Sequence, residues 1–208
     1  MAREILGEYL RAVDRFFRQD ANEIDGTIDL TELDVQAGIA RKVGTLAEGV
    51  GASVAKAQGR VLGRLLGVSF EDQAPLGAIR AFRDRNIRLM EDAGRFYAKD
   101  VRKIFETPGI FGLRVEEIRK LIQDRAGVWE SRAELIARDQ VLKLHGEINE
   151  ERQTKAGIES YTWSTSRDSR VRPEHAAMEG KTVAWSNPPE FGHPGDDYMC
   201  RCVGVPIL

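Results

Sequence analysis

The chain has 208 residues, 42% of them hydrophobic and 31% charged, and its acids and bases balance to a formal net charge of −2. That length allows one or two domains of about 100–200 residues, and the hydrophobic share is enough for a core. The balanced charge excludes a global electrostatic footprint for nucleic acid, and no segment offers the ~18 uncharged apolar residues of a membrane span.

Met1 to Glu8 carries charges of both signs and no apolar signal core, so the chain is expected to fold in the cytoplasm. The first helix is expected over 3–18, where Ile5, Leu6, Tyr9, Leu10, Val13, Phe16 and Phe17 form a stripe. A loop follows from Gln19 to Thr27. Thr31 with Asp34 resembles a capping arrangement that opens a second helix over about 32–66. That helix holds Gly44, Gly49, Gly51, Gly59 and Gly63, each costing up to about 1 kcal/mol relative to Ala. Gly59, Gly63 and Gly67 stand four apart and would let another helix approach, within the chain or from a partner.

After a loop around Gln73-Ala74-Pro75, a third helix is expected over about 76–106, stopped by Thr107-Pro108-Gly109. A short helix follows at about 114–125, with Val115, Ile118, Leu121 and Ile122 on one face. Ser131 with Glu134 reads as a second capping box, opening a separate helix over about 132–155. Its apolar face would use Ala133, Ile136, Leu142 or Leu144, and Ile148, and Ala156-Gly157 would close it.

Composition shifts after residue 157. The remainder holds five of the seven prolines, both cysteines, two of the three histidines and two of the three tryptophans. Tyr161-Thr162-Trp163-Ser164-Thr165 alternates as a half-buried strand does. Thr182-Val183-Ala184-Trp185 and Val203-Gly204-Val205 suggest two more strands, separated by loops at Pro188-Pro189 and His193-Pro194-Gly195. The fold class expected is therefore a mainly α N-terminal region with a small α+β C-terminal module of about three short strands. Three segments are expected: a helical extension, 1–75; a helical part, 76–157; and the C-terminal module, 158–208.

So small a module needs support from the helices or from a staple. Cys200 and Cys202 are too close in sequence for an unstrained disulfide, and read as thiols or metal ligands. Zinc takes four nitrogen or sulfur ligands, and His175, His193, Cys200 and Cys202 make that number. Cys-x-Cys is tighter than the usual spacing, however. The alternative has both histidines hydrogen-bonded in turns and both thiols packed as small hydrophobes. Arg167, Asp168, Arg170 and Arg172 share one loop, where interleaved acids favour internal ion pairing over a phosphate or DNA contact.

The ordered run Tyr161-Thr162-Trp163, Asp168, Arg170-Val171-Arg172-Pro173-Glu174-His175, Gly180-Lys181, His193-Pro194-Gly195-Asp196 and Cys200-Arg201-Cys202 resembles the phage Mu F-like head-morphogenesis family. The preceding Arg132-Ala133, Ile136-Ala137-Arg138 and Ala156-Gly157-Ile158 resemble its arginine-containing helix, so the resemblance covers about 85–208. Trp163, Asp168, Arg172 and Gly180 are the positions that carry the motif. The chain departs from the family at Asp139-Gln140, where Thr-Glu is usual. A carboxylate role at 140 is thereby put in question, with Asp139 the nearest substitute.

The resemblance implies a phage or prophage minor head protein acting in capsid assembly. Portal and other head proteins would be its partners, and it would pass from the host cytoplasm into the virion. Two other classes compete with it. A zinc-dependent hydrolase or nuclease-like toxin-related domain would need a three-ligand metal with bound water and Glu174 or Asp168 as base. No Gly-rich nucleophile turn, His-Glu-x-x-His or phosphate loop supports it, so the expectation is a non-enzyme with at most one structural zinc. A DNA-binding protein of the capsid interior would reveal itself by salt-dependent binding. No stable membrane insertion is expected.

Overall fold

The computed structural model describes residues 35–70 and 74–207. The helix read over 3–18, the loop after it and the Thr31–Asp34 cap lie outside the described residues. The described elements are α1 (Val35–Leu66), α2 (Leu76–Phe105), a 3-10 turn (Ile110–Gly112), α3 (Val115–Lys155), β1 (Ser160–Ser164), α4 (Pro173–Ala176), β2 (Thr182–Ala184) and β3 (Val203–Pro206). The fold is thus mainly helical, with a small antiparallel sheet confined to the C-terminal part. Among the described residues no helix is long and apolar enough to cross a membrane.

The helix boundaries follow local chemistry. Gly67 (φ 68°) ends α1, and the Val68 amide donates back to the Gly63 carbonyl at 3.2 Å. Gly157 (φ 76°) ends α3 in the same way: its amide donates to Thr154 and the Ile158 amide to Gln153, the paired bonds of a Schellman stop. At the start of α3, Glu117 reaches back to accept from the Arg114 amide at 2.8 Å.

One boundary differs from expectation. The two helices anticipated at 114–125 and 132–155 are a single helix, α3. Ser131 does not cap anything; its Oγ donates to the Gly127 carbonyl four residues earlier, which keeps the backbone helical. With no proline between Leu113 and Lys155, the glycine at 127 alone is too small a penalty to break the helix.

The chain divides into two compact units, Met1–Leu46 with Arg85–Ile136 and Ala47–Asp84 with Ala137–Leu208. In the first unit the buried side chains include Val43, Asn86, Met90, Val101, Ile110, Ile118 and Ile122.

In the second unit Ala47 and Ala55 of α1, Ala78 and Phe82 of α2, and Leu144 and Ile148 of α3 form one core, flanked by Val50, Val54 and Ile79. Small residues at 47, 51 and 55 let the α1 backbone come close to its neighbours; a Cβ on Gly51 would lie 3.0 Å from the Ile79 side chain. The glycine stripe read from the sequence is divided. Gly59 lies under the Arg152 guanidinium, Gly63 faces the Val68 carbonyl of its own chain, and Gly67 is past the helix end.

Two α3 side chains fasten these helices. The Arg152 guanidinium is buried, donates to the Ala55 carbonyl at 2.8 Å and sits over the Phe70 ring. Glu151 accepts from the Ala78 amide at 2.7 Å, so a carboxylate from α3 satisfies an orphan donor in the first turn of α2. Burial alone would raise the Glu151 pKa, but its bonds to Lys155 and to the Ala78 backbone hold it below the ordinary value.

Candidate metal and structural centre of the C-terminal module

All residues of this centre lie in the second unit. β1 is the middle strand of the order β2-β1-β3 and is antiparallel to both neighbours. Tyr161 pairs with Val183 and with Pro206, and Trp163 pairs with Gly204. The alternation of β1 sends Tyr161 and Trp163 to the buried face, where neither has any exposed surface. Val183, Trp185, Cys200 and Cys202 complete that core, with Met178 and Phe191 packed beside it. Gly180 (φ 75°) turns the chain so that its amide donates to the Trp163 carbonyl, while the Trp163 amide donates to Lys181, both at 2.8 Å.

The long helix holds this sheet through polar side chains that the sequence did not single out. Asn149 Nδ2 and Gln153 Nε2 both donate to the Gly204 carbonyl of β3, at 2.7 and 2.8 Å. Gln153 Oε1 accepts from the Trp185 indole at 3.2 Å. Both residues sit on α3 four apart, so one helix face carries them. A polar pair at helical spacing within an otherwise apolar face was the only available sign. Asp139, also on α3 and buried, accepts from the Met199 amide at 2.7 Å and pairs with Lys143 at 2.7 Å. A carboxylate is therefore supplied at 139, next to the position where the family pattern would place one.

Cys200 and Cys202, on the segment that leads into β3, both turn into the core, and Arg201 between them is more exposed. Arg201 meets Asp168 with both guanidinium nitrogens, at 2.5 and 2.7 Å, and Asp168 also accepts from the Arg170 amide at 2.9 Å. The Arg201 hydrogen bonds, then the Arg170 amide, hold the Asp168 carboxyl well below the usual range. Arg167 is bound to Glu179 at 3.0 Å, and Arg172 to the Tyr198 carbonyl at 2.7 Å and to Asp197 at 3.0 Å. Arg170 lies 3.7 Å from Asp168. The internal ion pairing expected of this loop is what the structure contains.

Because its folded pKa is depressed, Asp168 adds stability that is present above its unfolded pKa of about 4 and is lost as pH falls toward the folded value. The pair is largely solvated, so the effect is small and weakened by salt. Asp168→Asn is expected to melt below the wild type at neutral pH. The gap should narrow on acidification below the unfolded pKa, and a gap that widened there would contradict the pairing.

The two candidate histidines separate. His193 Nε2 lies 3.0 Å from the Trp185 carbonyl, which can only accept, so Nε2 carries the proton; Nδ1 then accepts from the Tyr161 hydroxyl at 2.9 Å. Both nitrogens are used. Burial pushes the Tyr161 phenol up, keeping it the donor. Tyr161→Phe should cost about 1–2 kcal/mol, the price of leaving a buried acceptor unpaired, measured by denaturant unfolding; an unchanged midpoint would reject this bond.

His175 instead joins the cysteines. It sits on the short α4, with Pro173 at the first helical position, and is buried. Its ring stacks on Phe191 and meets the edge of Trp163. His175 Nδ1 lies 3.5 Å from both Cys200 Sγ and Cys202 Sγ. The three ligand atoms fall within 4.8 Å of one another, a grouping that could hold a metal ion. On the far side of the ring, Nε2 lies 3.3 Å from Asp197 Oδ2, close but without a well-formed hydrogen bond. The closeness of the two thiols holds the Cys200 pKa below the ordinary thiol range and pushes that of Cys202 above it. The buried Trp163 indole N–H has no regular acceptor.

Residues 107–205 match the family described as Phage Mu protein F like protein. A protein of Haemophilus influenzae, described only as uncharacterized, is 35% identical over 131 residues, which is 62% of this chain and 29% of that protein. The chain therefore spans less than a third of that relative's length. No solved structure matches the chain.

Proposed function

We propose, from the match of residues 107–205 to the phage Mu protein F-like family, that the chain is a minor head protein acting in phage head morphogenesis. That match is the observation that carries the reading, since it takes in all of α3 and the whole Tyr161 to Cys202 module. In this reading the 158–208 module and the 76–157 helical part form the head-morphogenesis domain, and 1–75 is a partner-binding extension. The partners are other head proteins, the portal first among them, and the protein is made in the host cytoplasm and carried in the virion at the capsid interior or portal vertex.

The geometry supports a non-catalytic role. Asp168, His193, Asp139 and the loop arginines are each engaged in holding the module together. DNA binding inside the head is weakened by the same facts, because the arginines of 167–172 face Glu179, Asp168 and Asp197. Binding to duplex DNA with a slope near zero against salt would remove that alternative, because neutralised phosphates must release counterions.

One arrangement favours a second reading. Cys200, His175 and Asp197 stand in the order of nucleophile, base and orienting group. Against it, both sulfurs lie equally far from Nδ1 and both cysteines are buried. The experiment for the main reading is head assembly from portal, scaffold and coat proteins with and without this chain. Recovery of the chain with portal-containing particles, and loss or malformation of heads in its absence, is expected. Normal heads and a chain that stays free would overturn it.

A further inference from the structure

The structure assigns a three-residue zinc site to His175 Nδ1, Cys200 Sγ and Cys202 Sγ, with His193 outside it and water at the fourth corner. This inference does not rest on the head-assembly reading.

The distances carry the argument. Zinc bonded at about 2.3 Å to sulfur and 2.0–2.1 Å to nitrogen in a tetrahedron sets each nitrogen–sulfur edge near 3.5 Å. Both observed edges are 3.5 Å. An apolar packing of two thiols gives no reason for one imidazole nitrogen to be equidistant from both. Cys-x-Cys, tighter than the usual spacing, works here because both cysteine side chains turn into the core on either side of Arg201.

The surroundings fit as well. A metal-binding imidazole usually turns its other N–H to a carboxylate that fixes tautomer and ring orientation. His175 is placed for this: Nε2 lies 3.3 Å from Asp197 Oδ2, and Asp197 is itself held by Arg172 at 3.0 Å. The proton then sits on Nε2, leaving the Nδ1 lone pair directed at the sulfurs. The Trp163 indole N–H is buried without a regular partner, in the same core cluster as both cysteines. Two thiolates and one dication sum to zero, so the buried site carries no net charge.

Among the described residues the metal-ligand group contains no fourth member. His193, which would complete a four-residue set, spends both nitrogens on Tyr161 and Trp185. Cys200 and Cys202 also line a groove of about 460 Å³ together with Leu62, Leu142 and Val205, so open space lies beside two of the three ligands.

The test is metal content of the untagged full chain by plasma mass spectrometry, with thiol titration before and after chelation. One zinc per chain is expected, with both thiols masked until the chelator is added. Background metal after zinc-supplemented expression, with both thiols freely reactive, would overturn the site. X-ray absorption of the wild-type zinc protein then counts ligands without any variant. Two sulfurs, one imidazole and one further oxygen are expected; two imidazoles would return His193 to the site and overturn the three-residue assignment. Asp197→Asn should weaken zinc about 10- to 100-fold in chelator competition, and unchanged affinity would reject Asp197 as the positioning residue.

Discussion

Gly146→Ala is expected to lower stability by about 1–3 kcal/mol, although an alanine in a helix interior is ordinarily worth up to about 1 kcal/mol over glycine. Gly146 lies mid-helix in α3, where the His193-Pro194-Gly195 loop crosses. A Cβ there would stand 2.4 Å from the Pro194 carbonyl oxygen and 3.3 Å from the Gly195 Cα. Both are backbone atoms, so no side chain can swing aside. The loop cannot retreat easily either: Gly195 has φ 107° and packs back on Gly146, and His193 is pinned by two hydrogen bonds. Gly127, in the same helix, has nothing within 4 Å of its virtual Cβ. Gly127→Ala should therefore raise stability by up to about 1 kcal/mol. Urea midpoints of the two variants are expected to move in opposite directions. A stabilised Gly146→Ala would mean that the loop does not cross at that point.

Those two glycines are alike in the sequence, which explains where sequence reading stops. Its strengths are local. The alternation around Trp163 gives β1, Ala156-Gly157 marks a helix end, and the proline-rich stretches mark loops. Ser131 and Glu134 also look like a local signal, yet a capping box forms only where the chain enters a helix, and here it is already inside one.

The site was legible as a set of residue types and not as a set of contacts. His175 and His193 are equivalent on paper. One meets the sulfurs and the other meets Tyr161 because the sheet register, a long-range property, places them so. Asp168 announces an arginine partner, but the loop holds three nearby, and the bidentate one is Arg201, 33 residues away. Asn149 and Gln153 were missed because their target is a β3 carbonyl more than 50 residues on, and nothing in a helix face names the strand it will touch.

Asp139→Ala is expected to cost about 3 kcal/mol, the cost of removing one partner from a buried ionic contact. The Asp139 side chain is nearly fully buried and serves three donors at once: Oδ1 takes the Met199 amide and Oδ2 the Lys143 ammonium, each at 2.7 Å, and Oδ2 also takes the Gln140 side-chain amide at 3.3 Å. Met199 has φ 55°, a left-handed backbone that costs a non-glycine residue about 1–3 kcal/mol unless its surroundings hold it. The hydrogen bond from Met199 to Asp139 is such a hold, and it sits one residue before Cys200. Truncation to alanine thus leaves an amide without its acceptor, a lysine without its counterion and a strained turn free to relax. Asp139→Asn keeps an acceptor for Met199 but turns an amide nitrogen toward the Lys143 and Gln140 donors, so a smaller loss of about 1–2 kcal/mol is expected. The two variants also separate stability from positioning. If Asp139 sets the cysteine turn, alanine should speed the reaction of the Cys200 and Cys202 thiols in the chelated protein well beyond asparagine, measured under conditions where both variants remain folded. Equal thiol rates with unequal stability would reduce Asp139 to a helix anchor. Equal stability of the two variants would show that the charge, and not the Met199 bond, is what α3 contributes there.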